Sequence, residues 1–308
     1  MRAVRAFAPG GIGNIGPGID ILGCAVTGPG DSVRAEPSSV AGVHIAEPGH
    51  HDLPTDPTRH ASGIAALEVL RRARASTGVT LHVEKGLPLA GGQGGSAASA
   101  VAGAVAVNAL LGSPLSREDV LFAALVAEER LAGRHIDNLA PALYGGILLI
   151  RSITPLRFTS LPIPEKLRIT LVHPAMRLST ADSRSVLPTS LDRVTALAQA
   201  GAIAAMVAAF SLGDLSLLRG AVEDHIAEPA RALLLPGFVA AKAAALEAGA
   251  LGCSISGGGP SAFALSDDDD RARHIGDAMV AAYADAGLDA RARVATVDTT
   301  GARVETLD

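Results

Sequence analysis

Apolar positions along the chain follow two rhythms, one of period two and one of helical spacing. Short β-prone runs occur at residues 4–8, 31–35, 43–46 and 79–84, divided by Gly/Pro turns, and one stretch at 58–75 has helical spacing. A Gly-rich loop at 86–95 leads into a helix over 96–110. A second helix starts at Ser116, whose Ser-Arg-Glu-Asp opening resembles a capping box. The glycine-rich segment 133–146 feeds a strand at 147–151. Pro155, Pro162 and Pro164 are expected to interrupt all regular structure and to separate a first domain, 1–160, from a second, 161–308. Beyond them the pattern predicts a strand at 167–172, helices near 190–210, 214–223 and 236–248, and strands at 253–256 and 261–265. A helix after Ser266 and a strand at 291–297 complete the chain. Strands and helices are interspersed in both halves, so the fold class is α+β with mixed sheets.

Composition narrows the function classes. The 308 residues are 48% hydrophobic and 19% charged, enough for a real core and far from the disordered class. A net charge of -5 gives no basic field for a phosphate backbone or an anionic membrane, and 3% aromatics without Trp offer no base-stacking platform. Neither nucleic acid nor membrane is therefore an expected partner. The apolar stretches 97–111 and 196–210 fall short of the roughly 20 residues that a bilayer requires and read as core helices. No apolar h-region follows the N-terminal arginines, which predicts a cytoplasmic protein. Cys24 and Cys253 lack metal-ligand spacing and read as buried thiols. The acidic run 267–270 follows a candidate N-cap, Ser266, and complements a helix dipole better than it builds a cation site. His50, His51 and His60 read as part of a solvated loop.

Candidate chemistry lies in three glycine loops. The first, Gly11-Ile12-Gly13-Asn14-Ile15-Gly16, formally matches a dinucleotide fingerprint with Glu36 as the ribose ligand of an NAD oxidoreductase. Pro17-Gly18 follows at once, however, and leaves no room for the long helix that fingerprint needs. The second, Gly91-Gly92-Gln93-Gly94-Gly95-Ser96, runs straight into a small-residue helix, so backbone N–H groups and the helix dipole can face one concavity as a phosphate cradle. It is not a Walker A loop: the only lysines are Lys85, Lys166 and Lys242, and none follows the glycines. The third, Ser256-Gly257-Gly258-Gly259-Pro260-Ser261, links two short strands. Three such loops can converge on one polyphosphate.

In this order the segments resemble the three motifs of the GHMP small-molecule kinases. The stretches His135-Ile136-Asp137-Asn138-Leu139-Ala140-Pro141-Ala142-Leu143 and Ser179-Thr180-Ala181-Asp182-Ser183-Arg184-Ser185-Val186-Leu187-Pro188 look like signatures of the homoserine kinase branch. The resemblance runs nearly end to end. It implies a two-domain GHMP kinase fold, an N-terminal mixed α/β domain followed by a ferredoxin-like α+β domain, with ligands held between them. It also implies ATP and Mg2+ as cofactors, L-homoserine as the phosphoryl acceptor in threonine biosynthesis, and a homodimer.

By the same resemblance Gly91, Gly92, Gln93, Gly94, Gly95, Ser96 and Ala97 wrap the ATP phosphates, and Ser96 with Glu128 holds Mg2+, the adjacent Glu129 being the alternative ligand. The substrate residues it implies are Asn14, Asp20, His135, Asn138, Thr180, Arg184 and Arg231, with Asn138 and Arg184 closest to catalysis. Residue chemistry agrees. Arg184 and Arg231 suit a carboxylate, Asp20 an ammonium, and Asn14 and Asn138 a hydroxyl. Two departures stand out: Gly95-Ser96 replaces a pair of serines, and Gly10-Gly11-Ile12-Gly13 and Ile19 replace hydroxylated residues and a phenylalanine. A kinase for another small alcohol and a non-catalytic ligand-binding relative are the alternatives to the homoserine reading.

Overall fold

The computed structural model describes residues 2–305. Its first sheet is built on a hairpin, β1 (Val4–Gly13) against β2 (Leu22–Ser38), in which the first glycine motif completes β1 and turns back at 14–21. No helix opens there, which removes the dinucleotide reading; Glu36 instead bonds Arg34 on its own strand. Strand β3 (Gly42–Glu47), helix α1 (Ala61–Ala73) and β4 (Gly78–Lys85) follow, then α2 (Gly95–Leu110) and α3 (Arg117–Leu131). A short helix α4 (Leu139–Tyr144) and the strands β5 (Ile147–Ser152) and β6 (Arg157–Leu161) complete this half. The strand order is β11-β1-β2-β4-β3, with β5 on the far end of β2 and β6 on β5; β11 (Arg303–Glu305) returns from the C-terminus.

The second sheet follows a split βαβ plan. Strand β7 (Arg168–Pro174) leads into α5 (Thr180–Ser185), α6 (Arg193–Leu212), α7 (Ala227–Arg231) and α8 (Phe238–Glu247), then β8 (Gly252–Ile255), β9 (Ala262–Ser266), α9 (Asp269–Asp285) and β10 (Ala290–Ala295). The order β10-β7-β9-β8, all pairs antiparallel, is the ferredoxin-like arrangement that the resemblance implies.

Local chemistry sets these elements. Ser116 caps α3 by accepting from Asp119 N at 3.1 Å, and Asp268, not Ser266, caps α9 by accepting from Arg271 N at 2.9 Å. Helix α2 is Ala-rich because sheet and helices crowd it from all sides: Gly103 lies so close to α1 that a Cβ would meet the Ser62 backbone at 2.8 Å. Both cysteines are buried free thiols, and burial pushes both pKa values up.

Four expectations need correction. The prolines do not end all regular structure, since β6 forms between Pro155 and Pro162. The glycine-rich segment 133–146 feeds β5 as expected, by way of α4, but 214–223 holds only a 3-10 turn at Leu215–Leu218 in place of a helix. His60 is buried, and its ring Nδ1 caps α1 by accepting from Ser62 N. Helix α6 is not a core helix. Its 20 residues include an 18-residue stretch with a mean hydropathy of 1.7, long and apolar enough to cross a membrane by length and composition, yet only 28% of that stretch is buried. One stripe, Ala202, Met206, Ala209 and Phe210, packs inward; Val194, Leu197 and Leu212 stay exposed.

Candidate active site

The three glycine loops meet. Gly11 N donates to Gln93 O at 3.1 Å, joining the first loop to the second, and Gly257 N donates to Gly13 O at 3.1 Å, joining the third to the first. Ser256 Oγ donates to Gly92 O at 2.7 Å and Ser261 N to Gly91 O at 3.3 Å. Gly92 is closely enclosed by backbone, with φ at +74° and space for a Cβ only 2.6 Å from Gly259 O and Ser256 O. A Gly92→Ala protein is expected to bind ADP at least about tenfold more weakly, because the left-handed backbone alone costs a side chain about 1–2 kcal/mol. At Gly95 a Cβ would come no closer than 3.4 Å to its neighbours, so Gly95→Ala is the matched control in the calorimetric titration.

Helix α2 opens at this junction without a side-chain cap. Gly94, in the left-handed region at φ 70°, is its N-cap, so the first-turn N–H groups of Gly95, Ser96 and Ala97 have no intrahelical acceptor. Together with the positive end of the dipole they make an anion site. Ser96 is exposed to the adjoining cavity of about 390 Å3, which the nucleotide-loop residues line together with Glu128, His135, Asn138, Thr180, Arg184 and Arg231. Leu53, Pro88, Leu89 and Leu178 supply apolar lining.

Gln93 and Asp20 are the two expected site residues that do not line this cavity. The Gln93 side chain is spent on bracing: Nε2 donates to Ser261 Oγ at 3.1 Å and Oε1 accepts from Arg293 at 3.4 Å. Asp20 stands beside the cavity and takes a bidentate grip from Arg184, at 2.6 and 3.4 Å. Asn14 and Asp20 both sit at positive φ, 69° and 59°, locked together by Asp20 N donating to Asn14 Oδ1 at 3.1 Å. Such uncommon backbone at non-glycine residues persists only where surrounding contacts enforce it. The Asn14 amide also donates to Gly257 O at 3.0 Å, so much of its bonding capacity goes to joining loops.

An acidic and imidazole group faces the same space. Glu128 and His135 are buried, with His135 Nδ1 3.6 Å from Glu128 Oε1 and 3.2 Å from Asp137 Oδ1. Burial raises the Glu128 pKa to about 7, the nearby Asp137 adding to it against the pull of His135 and Arg184. Burial alone would lower His135, but the Asp137 hydrogen bond and the charges of Asp137 and Glu128 outweigh it and raise its pKa. Glu129 points outward and pairs with Arg134, so of the two glutamates it is Glu128 that lines the cavity.

Asp137 was not among the expected site residues, although it is the hub of the group. Buried, it accepts from Asn14 N at 3.2 Å, from the His135 ring and from Asn138 Nδ2 at 3.4 Å. Its position beside His135 and Asn138 in one motif was the available signal. His60 also lines the cavity. Among the described residues, five buried side-chain polar atoms lack a partner, and three of them belong to this group: Glu128 Oε2, His135 Nε2 and Arg184 Nε. Unmet buried polar atoms are costly and mark where a ligand completes the set.

The chain is similar to known proteins along nearly its whole length. The GHMP kinases N terminal domain model matches residues 61–146 and the GHMP kinases C terminal model residues 206–285. The homoserine kinase of Chlorobium phaeobacteroides is 42% identical over 297 residues, 92% of each chain, and that of Arabidopsis thaliana 44% identical over 312 residues, 98% of this chain and 84% of the plant protein. The crystal structure of homoserine kinase from Cytophaga hutchinsonii superimposes with a TM-score of 0.94 at 40% identity, covering 99% of this chain and 98% of that one. With two matching GHMP domain models, relatives above 40% identity along nearly the whole chain and one shared architecture, the chain belongs to the homoserine kinase family of GHMP kinases.

Proposed function

We propose that this enzyme transfers the γ-phosphoryl group of ATP to the side-chain hydroxyl of L-homoserine, giving O-phospho-L-homoserine and ADP. One observation carries the reading: the uncapped end of α2 and the Arg184, Arg231 and Asp20 cluster open on the same cavity and its rim. A polyphosphate suits the first, and a zwitterionic amino alcohol suits the second.

In this reading the first-turn N–H groups of α2 and the backbone of the glycine loops hold the phosphates, with the nucleoside against the apolar lining. Arg231 and Arg184 hold the substrate carboxylate and Asp20 its ammonium, while His135 and Thr180 close the pocket around it. Asn138 fits the acceptor hydroxyl, since its Oδ1 lies 3.1 Å from the Cβ position of Gly94 at the phosphate loop. An amide cannot take a proton, and the Asp137 carboxylate already accepts from Asn14, His135 and Asn138. In this reading the hydroxyl proton passes to a γ-phosphoryl oxygen, as a loose transition state permits. Glu128 and Ser96 suit Mg2+: Glu128 Oε2 is buried without a partner, and the Ser96 hydroxyl faces the same cavity. When bound, the cation neutralises charge on the transferring group.

The division at residue 160, the cytoplasmic location and the homodimer belong to the same proposal. Exposed apolar side chains, among them Val194, Leu197, Leu233 and Val239, offer surface for a second copy. The test is ADP release with Mg-ATP against L-homoserine, L-serine, L-threonine, mevalonate, galactose and no acceptor, compared by kcat/KM. Selective turnover of L-homoserine is expected. Turnover only with another alcohol would discard the acceptor, and none with any acceptor would discard phosphoryl transfer.

A further inference from the structure

The phosphate loop has no lysine behind its glycines, yet a buried ammonium sits beneath it. Lys85 ends β4, and its cross-strand partner in β2 is Asp31. Their side chains form an ion pair with relative exposures of 7% and 0%. The same ammonium donates to Gly95 O at 3.1 Å and to Ser99 Oγ at 2.9 Å, and Ser99 Oγ in turn donates to Asp31 Oδ2 at 2.6 Å. Asp31 Oδ1 accepts from Gly86 N at 3.1 Å and from Leu87 N at 3.3 Å. The two side chains thus tie five places together: the middle of β2, the end of β4, the start of the loop, the first peptide of α2 and its second turn.

We infer that Lys85, held by Asp31, is a positioning residue that fixes the first turn of α2 so that its free N–H groups point into the phosphate concavity. The inference rests on the nucleotide reading of that loop. An ammonium has three N–H donors, and here Asp31, Gly95 and Ser99 take all three. Lys85 is therefore not free to bind a phosphate, unlike a lysine that follows the glycines of a Walker loop. The need for a strut is local. Gly94 and Gly95 are the two residues with the most backbone freedom to lose, and no side chain caps this helix end. Anchoring the Gly95 carbonyl to a sheet pair orders the peptide before any ligand arrives, which is the preorganisation that anion binding by backbone dipoles requires.

Removing one charge of a buried pair strands the other, so Lys85→Met alone confounds binding with folding. The decisive protein is the double variant Lys85→Met with Asp31→Asn. It removes both charges and keeps an oxygen to accept from Gly86 and Leu87. Calorimetric titration with ADP, melting curves and steady-state kinetics would be compared with the parent. The expected result is ADP affinity and KM for ATP worse by about tenfold to a hundredfold, with KM for L-homoserine unchanged within about threefold. A folded double variant that binds ADP like the parent, or one in which both KM values rise together, would overturn the inference. A parent that binds no ADP would instead overturn the nucleotide reading, so the two failures are distinct.

Discussion

Replacing Arg231 by Met is expected to lower kcat/KM for L-homoserine by about a hundredfold or more, through KM rather than kcat, while KM for ATP stays within about threefold. Arg231 is 3% exposed, and the bonds it makes go to carbonyls: Nε donates to Ser183 O at 3.2 Å and Nη1 to Gly257 O at 3.0 Å. No carboxylate lies within ion-pair distance of it among the described residues, and burial lowers its pKa. Arg184, by contrast, is already neutralised by Asp20. A buried guanidinium held in place by neutral oxygens has no carboxylate paired directly with it, and in this cavity its charge suits a substrate carboxylate. The discriminating acceptor is 3-aminopropan-1-ol, which keeps the hydroxyl and ammonium but lacks the carboxylate. The parent is expected to prefer L-homoserine strongly, and Arg231→Met to lose that preference. A variant that retains the preference would remove Arg231 from the carboxylate site.

Why Arg231 was legible in the sequence and Asp137 was not illustrates what local pattern carries. Glycine loops, the Ser116 cap and the Ala-rich α2 follow from φ preferences and spacing within one segment and appear where the pattern puts them, while the α9 cap falls two residues beyond Ser266, on Asp268. Arg231, Arg184 and Asp20 were legible through the resemblance to the GHMP kinases, with which the chemistry a zwitterion demands agrees, and the cavity and its rim bring them together. Asp137 lies between two expected site residues, but its importance is a sum of contacts to Asn14, His135 and Asn138, and the first of these is 123 residues away. His60 reads as loop because its Pro/Asp-rich neighbours dominate the pattern; only the tertiary fold buries it as a cap. β11 is three residues long and exists because β1 offers it an edge. Helix α6 errs in the opposite direction, since an apolar sequence reads as core whether the surface it meets covers one stripe or the whole helix.

Glu128→Gln is expected to raise the stability of the metal-free protein above pH 7 while lowering its Mg2+-supported kcat by about a hundredfold. The two effects share one cause. In the unfolded chain the carboxyl titrates near 4.5, whereas burial moves it to about 7 in the folded protein. Between those values the folded state binds more protons than the unfolded state, so this group's contribution to stability falls as pH rises from about 4.5 to about 7 and stays low above it. At 1.36 kcal/mol for each pH unit, a shift of this size makes the ionised carboxylate a burden of about 3 kcal/mol at pH 8, which glutamine does not carry. Urea denaturation should therefore show Glu128→Gln more stable than the parent at pH 8 and indistinguishable from it below about pH 5. His135 reinforces the arrangement, since the Glu128 charge helps hold its pKa up. A cation recovers the burden by binding the ionised form, with release of the proton that Glu128 holds at or below pH 7. The apparent Mg2+ activation constant of the parent should tighten by up to about tenfold per unit as pH rises toward 7 and level off above it. Glu129→Gln, on the outer face with Arg134, is the control and should change neither measurement. A Glu128→Gln protein that loses stability at pH 8, or one that keeps the parent's metal dependence, would show that the buried carboxylate is not held in reserve for a cation.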